Sequence, residues 1–247
     1  MKEIRDMAYG DQPENKLDVY LPEGKNFKTV VDFHGGGLES GDKAMDCFAR
    51  TGRALAEKGI CYVSANYRMY PSAVFPDFIR DGAKAVKFVA ERLKSWGGNG
   101  KIYISGHSAG AYISMMLCLD TKYLKDENLT PGDIDGWVID SAQQTTHYNV
   151  LRERGEYTGL QRIDEAAPMF FVSPKTSFSK MLLLFYTEDI ACRYEQNMLL
   201  YKAILNCNAN AQIEYRVLNG QHCSDLYVET DGGNLFADIL SEYVLKN

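Results

Sequence analysis

"YISGHSAGAYISMM", residues 103–116, sets a serine between two glycines where a strand-like run turns into an apolar helical one. The spacing is G-x-S-x-G, from Gly106 through Ser108 to Gly110. In a sharp strand-to-helix turn, the residues two before and two after the central one approach so closely that only small side chains fit, which accounts for both glycines. The turn also aims the first N–H groups of the next helix, with the positive end of its dipole, at any oxyanion formed beside Ser108. The bland reading of the same five residues is a small-residue turn. The functional reading makes Ser108 a nucleophile.

The flanking sequence bears on that choice. Residues 28–33, 61–67, 101–105, 136–140, 181–186 and 213–217 read as strands, several of them near-continuously apolar, as parallel strands covered on both faces should be. Helical candidates alternate with them at 44–58, 75–95, 109–119, 194–206 and 235–245. This alternation predicts an α/β fold: a mostly parallel sheet with helices on both faces, in which ligands collect beyond the carboxyl ends of the strands, where Ser108 lies. "KLDVYLP" (16–22) is expected as an antiparallel edge strand. Residues 141–180 break the alternation. This long, aromatic-rich stretch is expected as a cap-like insert that either roofs a pocket with Tyr148, Tyr157, Phe170, Phe171 and Phe178 or packs as core.

Composition narrows the partner. The 247 residues fit one large α/β domain, 1–247, with 45 % hydrophobic and 24 % charged residues. Net charge is −6, and the basic residues form no stripe, which argues against nucleic acid and anionic membranes and leaves a small molecule as the expected partner. No eighteen-residue apolar run or signal-like N-terminus occurs, so a soluble, cytoplasmic protein is expected. Six dispersed cysteines form no C-x-x-C pair and read as free, mostly buried thiols rather than a zinc site. "GGNGK" (97–101) precedes a strand and lacks P-loop spacing, so it reads as a turn. No metal or organic cofactor is expected.

A second motif strengthens the nucleophile reading. His34-Gly35-Gly36-Gly37 closes another central strand, and its glycines let the backbone approach a ligand with consecutive N–H groups pointing into a concavity. Paired with G-x-S-x-G, it reads as half of an oxyanion hole made by the N–H groups of Gly36, Gly37 and Ala109. A nucleophilic serine needs a base and an orienting acid. Of four histidines, His34 and His107 sit inside the motifs, His147 lies in the insert, and His222 follows the last strand, which makes His222 the expected base. The acid should follow the preceding strand. Asp189 is the expected residue, with Glu188 and Asp225 as alternatives. The order Ser108, Asp189, His222 is that of α/β-hydrolases.

On these motifs the sequence resembles the α/β-hydrolase superfamily, specifically the small esterases of the hormone-sensitive-lipase-like and feruloyl/acetyl-esterase-like (BD-FAE-like) groups. "HGGGLESGDK" resembles their oxyanion segment, "NYRMYPSAVFPDFIRDGAKAVKFV" their Tyr-Arg segment, "GHSAGA" their nucleophile turn and "NGQHCSDL" their histidine loop. Three positions depart from the pattern: Leu38 stands where an aromatic residue is common, Tyr186 where glycine is usual, and Ile190 where proline is frequent. The resemblance implies hydrolysis of short-chain acyl or aryl esters, on a carbohydrate in some of these groups, through an acyl-enzyme. Two other readings share the fold: an amide or formamide hydrolase of kynurenine-formamidase type, and a non-catalytic small-molecule receptor. Receptors of that kind often lack the histidine that His222 supplies here.

Overall fold

The computed structural model describes residues 1–247. In chain order its elements are β1 (Lys2–Ala8), β2 (Lys16–Leu21), β3 (Phe27–Phe33), α1 (Asp46–Glu57), β4 (Ile60–Ala65), α2 (Asp77–Trp96), β5 (Gly98–His107) and α3 (Ala109–Leu119). There follow α4 (Lys122–Asp126), β6 (Gly136–Asp140), α5 (Tyr148–Glu153), β7 (Met181–Glu188), α6 (Arg193–Cys207), β8 (Ile213–Gln221) and α7 (Leu235–Lys246). The eight strands form one sheet in the order β1-β2-β4-β3-β5-β6-β7-β8. The pairs β1–β2 and β2–β4 are antiparallel, and every pair from β4–β3 to β7–β8 is parallel.

The apolar runs serve two cores at once, because successive strand residues point to opposite faces. Val31, Val63, Ile104, Ile139 and Leu183 face α2, α3 and α6, whereas Val30, Tyr62, Tyr103, Val138 and Leu182 face α1 and α7. Helix α3 is buried on every side, as an all-apolar helix must be. This is the α/β-hydrolase architecture. No helix is long and apolar enough to cross a membrane. All six cysteines are free; Cys47, Cys61, Cys118 and Cys223 are buried, and Cys192 is exposed.

Three expectations change. The edge strand is β1, not β2, which is covered on its other side by β4. β1 has mostly exposed side chains and a register irregularity between Ile4 and Met7, so "KEIRDMA" carries no apolar alternation to read. Helix α2 starts at Asp77 rather than at residue 75, with Pro76 at its cap. Strand β5 runs from Gly98 to His107, so the stretch 97–101 read as a turn is strand from Gly98 onward, and β8 continues through Leu218–Gln221, because backbone pairing persists at the sheet rims without needing apolar side chains.

Within 141–180, Tyr157 and Phe170 face solvent, whereas Phe171 and Phe178 are partly buried against the larger core. Tyr148 alone of the five aromatic residues lines the cavity beside Ser108.

The turn between β5 and α3 leaves no room for a side chain at either glycine. A Cβ on Gly110 would stand 2.0 Å from the carbonyl oxygen of Phe33, and one on Gly106 would stand 2.6 Å from the backbone of Gly110. Gly110→Ala is expected to lower Tm by roughly 5–10 °C, because the obstruction is backbone that cannot rotate away. Thermal unfolding followed by circular dichroism checks this; an unchanged Tm would contradict the packing described.

Candidate active site

Neighbouring parallel strands deliver the site. Ser108 is the first residue after β5, Ser141 after β6, Asp189 after β7 and His222 after β8, while His34 begins the loop after β3. Because these strands are adjacent and share a direction, their carboxyl ends form one rim.

Ser108 sits at φ +52°, ψ −108°, a strained conformation for a residue with a side chain. Its N–H donates to the carbonyl of Asp140 at 2.8 Å. His222 Nε2 lies 2.8 Å from Ser108 Oγ, and His222 Nδ1 lies 2.6 Å from Asp189 Oδ1. Since ionised Asp189 only accepts, Nδ1 carries the proton and Nε2 is left as an acceptor facing the serine. The Ile190 N–H also donates to Asp189 Oδ1, at 2.8 Å. Burial opposes the charge on Asp189, but hydrogen bonds from His222 and Ser141 outweigh it and hold the carboxyl below its ordinary range.

The glycine loop lies against this serine. A Cβ on Gly35 would stand 3.4 Å from Ser108 Cβ, and Gly36 and Gly37 adopt φ +111° and +67°. The carbonyl of Gly36 accepts from Ser40 N at 3.0 Å, and that of Gly37 accepts from Asn149 Nδ2. The N–H groups of Gly36 and Gly37 have no protein acceptor, and that of Ala109, at the first turn of α3, has no helical one. A cavity of about 450 Å³ opens over these groups, walled by Phe48, Tyr148, Ile190 and Leu226.

The remaining candidates lie elsewhere. Glu188 is exposed and sits opposite Gln221 in the β7–β8 ladder. His34 is buried, stacks on Tyr67 with ring centroids 4.5 Å apart, and places Nδ1 2.6 Å from Gly35 O. His147 caps α5, accepting from Asn149 N at 3.2 Å, and burial holds its pKa well below the usual value. His107 points beneath the turn, with Nδ1 2.8 Å from Asp140 and Nε2 3.4 Å from Asp32. Burial opposes its charge, yet Asp32 and Asp140 raise its pKa well above the usual value. Asp225 joins this buried group rather than His222, and neither of its carboxyl oxygens has a hydrogen-bond partner.

Two residues of the site escaped the sequence reading. Ser141, at φ +53°, donates from Oγ to Asp189 Oδ2 at 2.5 Å, and the same oxygen lies 2.9 Å from His222 Nδ1. Arg193, at the start of α6, donates from Nη1 to Ser141 O at 2.8 Å and lines the cavity. The available signal for Ser141 was its place directly after a central strand beside β5.

The BD-FAE family model matches residues 17–151. The probable isoprenylcysteine alpha-carbonyl methylesterase ICMEL1 of Oryza sativa subsp. japonica is 34 % identical over 163 residues, which cover 65 % of this chain and 36 % of that one. Kynurenine formamidase of Danio rerio is 29 % identical over 116 residues, covering 46 % of this chain and 38 % of that one. The chain thus spans about a third of the length of these curated relatives. Among solved structures, Thermogutta terrifontis esterase 2, phosphoramylated by tabun, superposes with a TM-score of 0.79 at 19 % identity, covering 98 % of this chain and 93 % of that one. At that identity the likeness speaks for the fold.

The buried acid at 225 gives a pH signature. Burial and the neighbouring Asp140 raise its pKa from 3.8 to about 7, so the folded protein keeps a proton that the unfolded chain loses. Asp225 therefore subtracts stability progressively as pH rises from about 4 to about 7. In Asp225→Asn that loss is absent, so the Tm of the variant relative to the native chain should climb across this interval. A Tm difference that is flat with pH would contradict it.

Proposed function

The chain belongs to the BD-FAE family, and from that premise we propose that it hydrolyses carboxylic esters through an acyl-enzyme on Ser108. One observation carries the reading: a serine hydroxyl 2.8 Å from an imidazole nitrogen whose other nitrogen is 2.6 Å from a carboxylate. Ser108 Oγ attacks the ester carbonyl as its proton passes to His222 Nε2. Asp189 holds the imidazole in the required tautomer and balances the imidazolium that forms. The carbonyl oxygen becomes an oxyanion that accepts from the N–H groups of Gly36, Gly37 and Ala109. When the intermediate collapses, the C–O bond to the alcohol breaks and His222 gives that oxygen its proton. Water then repeats the sequence on the acyl-enzyme, releasing the carboxylic acid and restoring Ser108. None of these steps calls on a metal or an organic cofactor.

The cavity of about 450 Å³, with walls from Phe48, Ile190 and Leu226, supports a short-chain acyl or aryl ester as the substrate. A second reading, formamide hydrolysis of kynurenine-formamidase type, draws on the likeness to the zebrafish enzyme and uses the same groups. Relative kcat/KM on N-formylkynurenine and on acetyl or feruloyl esters separates the two.

Ser108→Ala is expected to lower p-nitrophenyl acetate hydrolysis by at least about 10⁴-fold with the Tm preserved, and Asp189→Asn by roughly 10⁴-fold. Glu188→Gln should stay within a few-fold of the native chain. Turnover by Ser108→Ala within tenfold of native would refute the acyl-enzyme. Severe loss in Glu188→Gln with none in Asp189→Asn would move the acid by one residue.

A further inference from the structure

Arg193 is 4 % exposed, lines the cavity beside Ser108 and Tyr148, and always carries its charge. Its side chain makes one protein hydrogen bond, from Nη1 to the carbonyl of Ser141. Nε is buried without a partner. Burial works against the guanidinium, and Asp189 acts on it only through space, being hydrogen-bonded instead to His222 and Ser141. The contrast within this chain is with Lys43, which is equally buried but touches Asp6 and Asp18 at 2.8 and 2.9 Å. A buried cation without a counter-ion is costly unless something else supplies one. No carboxylate lines the cavity that Arg193 faces.

We propose that Arg193 is a specificity residue that binds a carboxylate on the substrate, so that the preferred esters carry a second, anionic group a few atoms from the scissile carbonyl. The inference rests on the ester-hydrolase reading for its substrate class. The carboxylate belongs either to the acyl part, as in the half-ester of a dicarboxylic acid, or to the alcohol part, as in the ester of a hydroxy acid. Paired with a carboxylate in the cavity, the guanidinium gains the counter-charge and the acceptors that the protein withholds. Recognition by charge-assisted hydrogen bonds of this kind discriminates by roughly 10- to 100-fold.

Shape-matched substrate pairs test it. Monomethyl glutarate against the methyl ester of its monoamide places the anion in the acyl part; 4-acetoxybenzoate against 4-acetoxybenzamide places it in the alcohol part. The native chain is expected to favour the anionic member of one pair by tenfold or more in kcat/KM. Arg193→Met should erase that ratio, and Arg193→Lys should recover part of it. If Arg193 only braces Ser141, both members of each pair fall together and the ratio does not move, which overturns the proposal. So does a native chain that prefers the neutral member of both pairs. Binding is read separately by calorimetry on Ser108→Ala protein with monomethyl glutarate and with 4-acetoxybenzoate. Adding Arg193→Met should weaken one of these at least tenfold, and equal binding of both overturns the proposal even if no ester is turned over. Absence of turnover by the native chain, with that binding difference intact, counts against the hydrolase reading alone.

Discussion

The functional end of this fold depends on one steric constraint, the contact between Gly110 and the carbonyl that ends β3. Helix α3 must begin immediately after β5 and still pack between the sheet and α2, so the chain reverses within a single residue. That residue is Ser108, and it takes up the positive φ at a cost of about 1–3 kcal/mol. The strain is held by burial on every side of α3 and by the hydrogen bond from Ser108 N to Asp140 O. In return the hydroxyl stands clear of the sheet, the first N–H of α3 lies beside it, and the glycine loop after β3 closes over both.

Beneath the turn lies a charged layer that shares residues with it. His107 is buried beneath the turn, where Phe236 and Phe48 pack on its ring at centroid distances of 4.3 and 5.5 Å. There it meets Asp32 from β3 and Asp140 from β6, while Ser105 and Tyr62 complete the bonding of Asp32 and Tyr186 that of Asp140. Each central strand thus contributes a polar group to one buried network. Asp140 links the two levels: its backbone receives the N–H of Ser108 and its carboxylate the ring of His107. The bonds that Asp32 and Asp140 accept from adjacent strands favour one register of those strands over its neighbours.

Much of this was legible because the deciding signals are local. Near-continuous apolar runs alternating with helical stretches marked the parallel strands, and G-x-S-x-G needs only five residues to state its steric requirement. His222 and Asp189 could be anticipated because strand ends in a parallel sheet share a rim, so chain order predicts proximity. Strand β1 was not legible, since an edge strand with solvent around it needs no apolar pattern. Ser141 and Arg193 were missed for a different reason. Their significance lies in what they touch across the chain, Asp189 in one case and an unpaired cavity in the other, and neither residue type is distinctive alone. Tyr186, noted as a departure from the resembled families, reveals its reason only in space, as a donor to Asp140 at 3.0 Å.

Strain at one serine sets a hydroxyl between an imidazole and a cluster of free amides. A crystal structure of the protein after reaction with a small alkyl fluorophosphonate shows whether that arrangement acts as a unit. Phosphorus is expected on Ser108 Oγ, with the phosphoryl oxygen accepting from the N–H groups of Gly36, Gly37 and Ala109 and His222 Nε2 remaining within hydrogen-bond reach. An unmodified Ser108, or an adduct whose phosphoryl oxygen points away from those three amides, would contradict it.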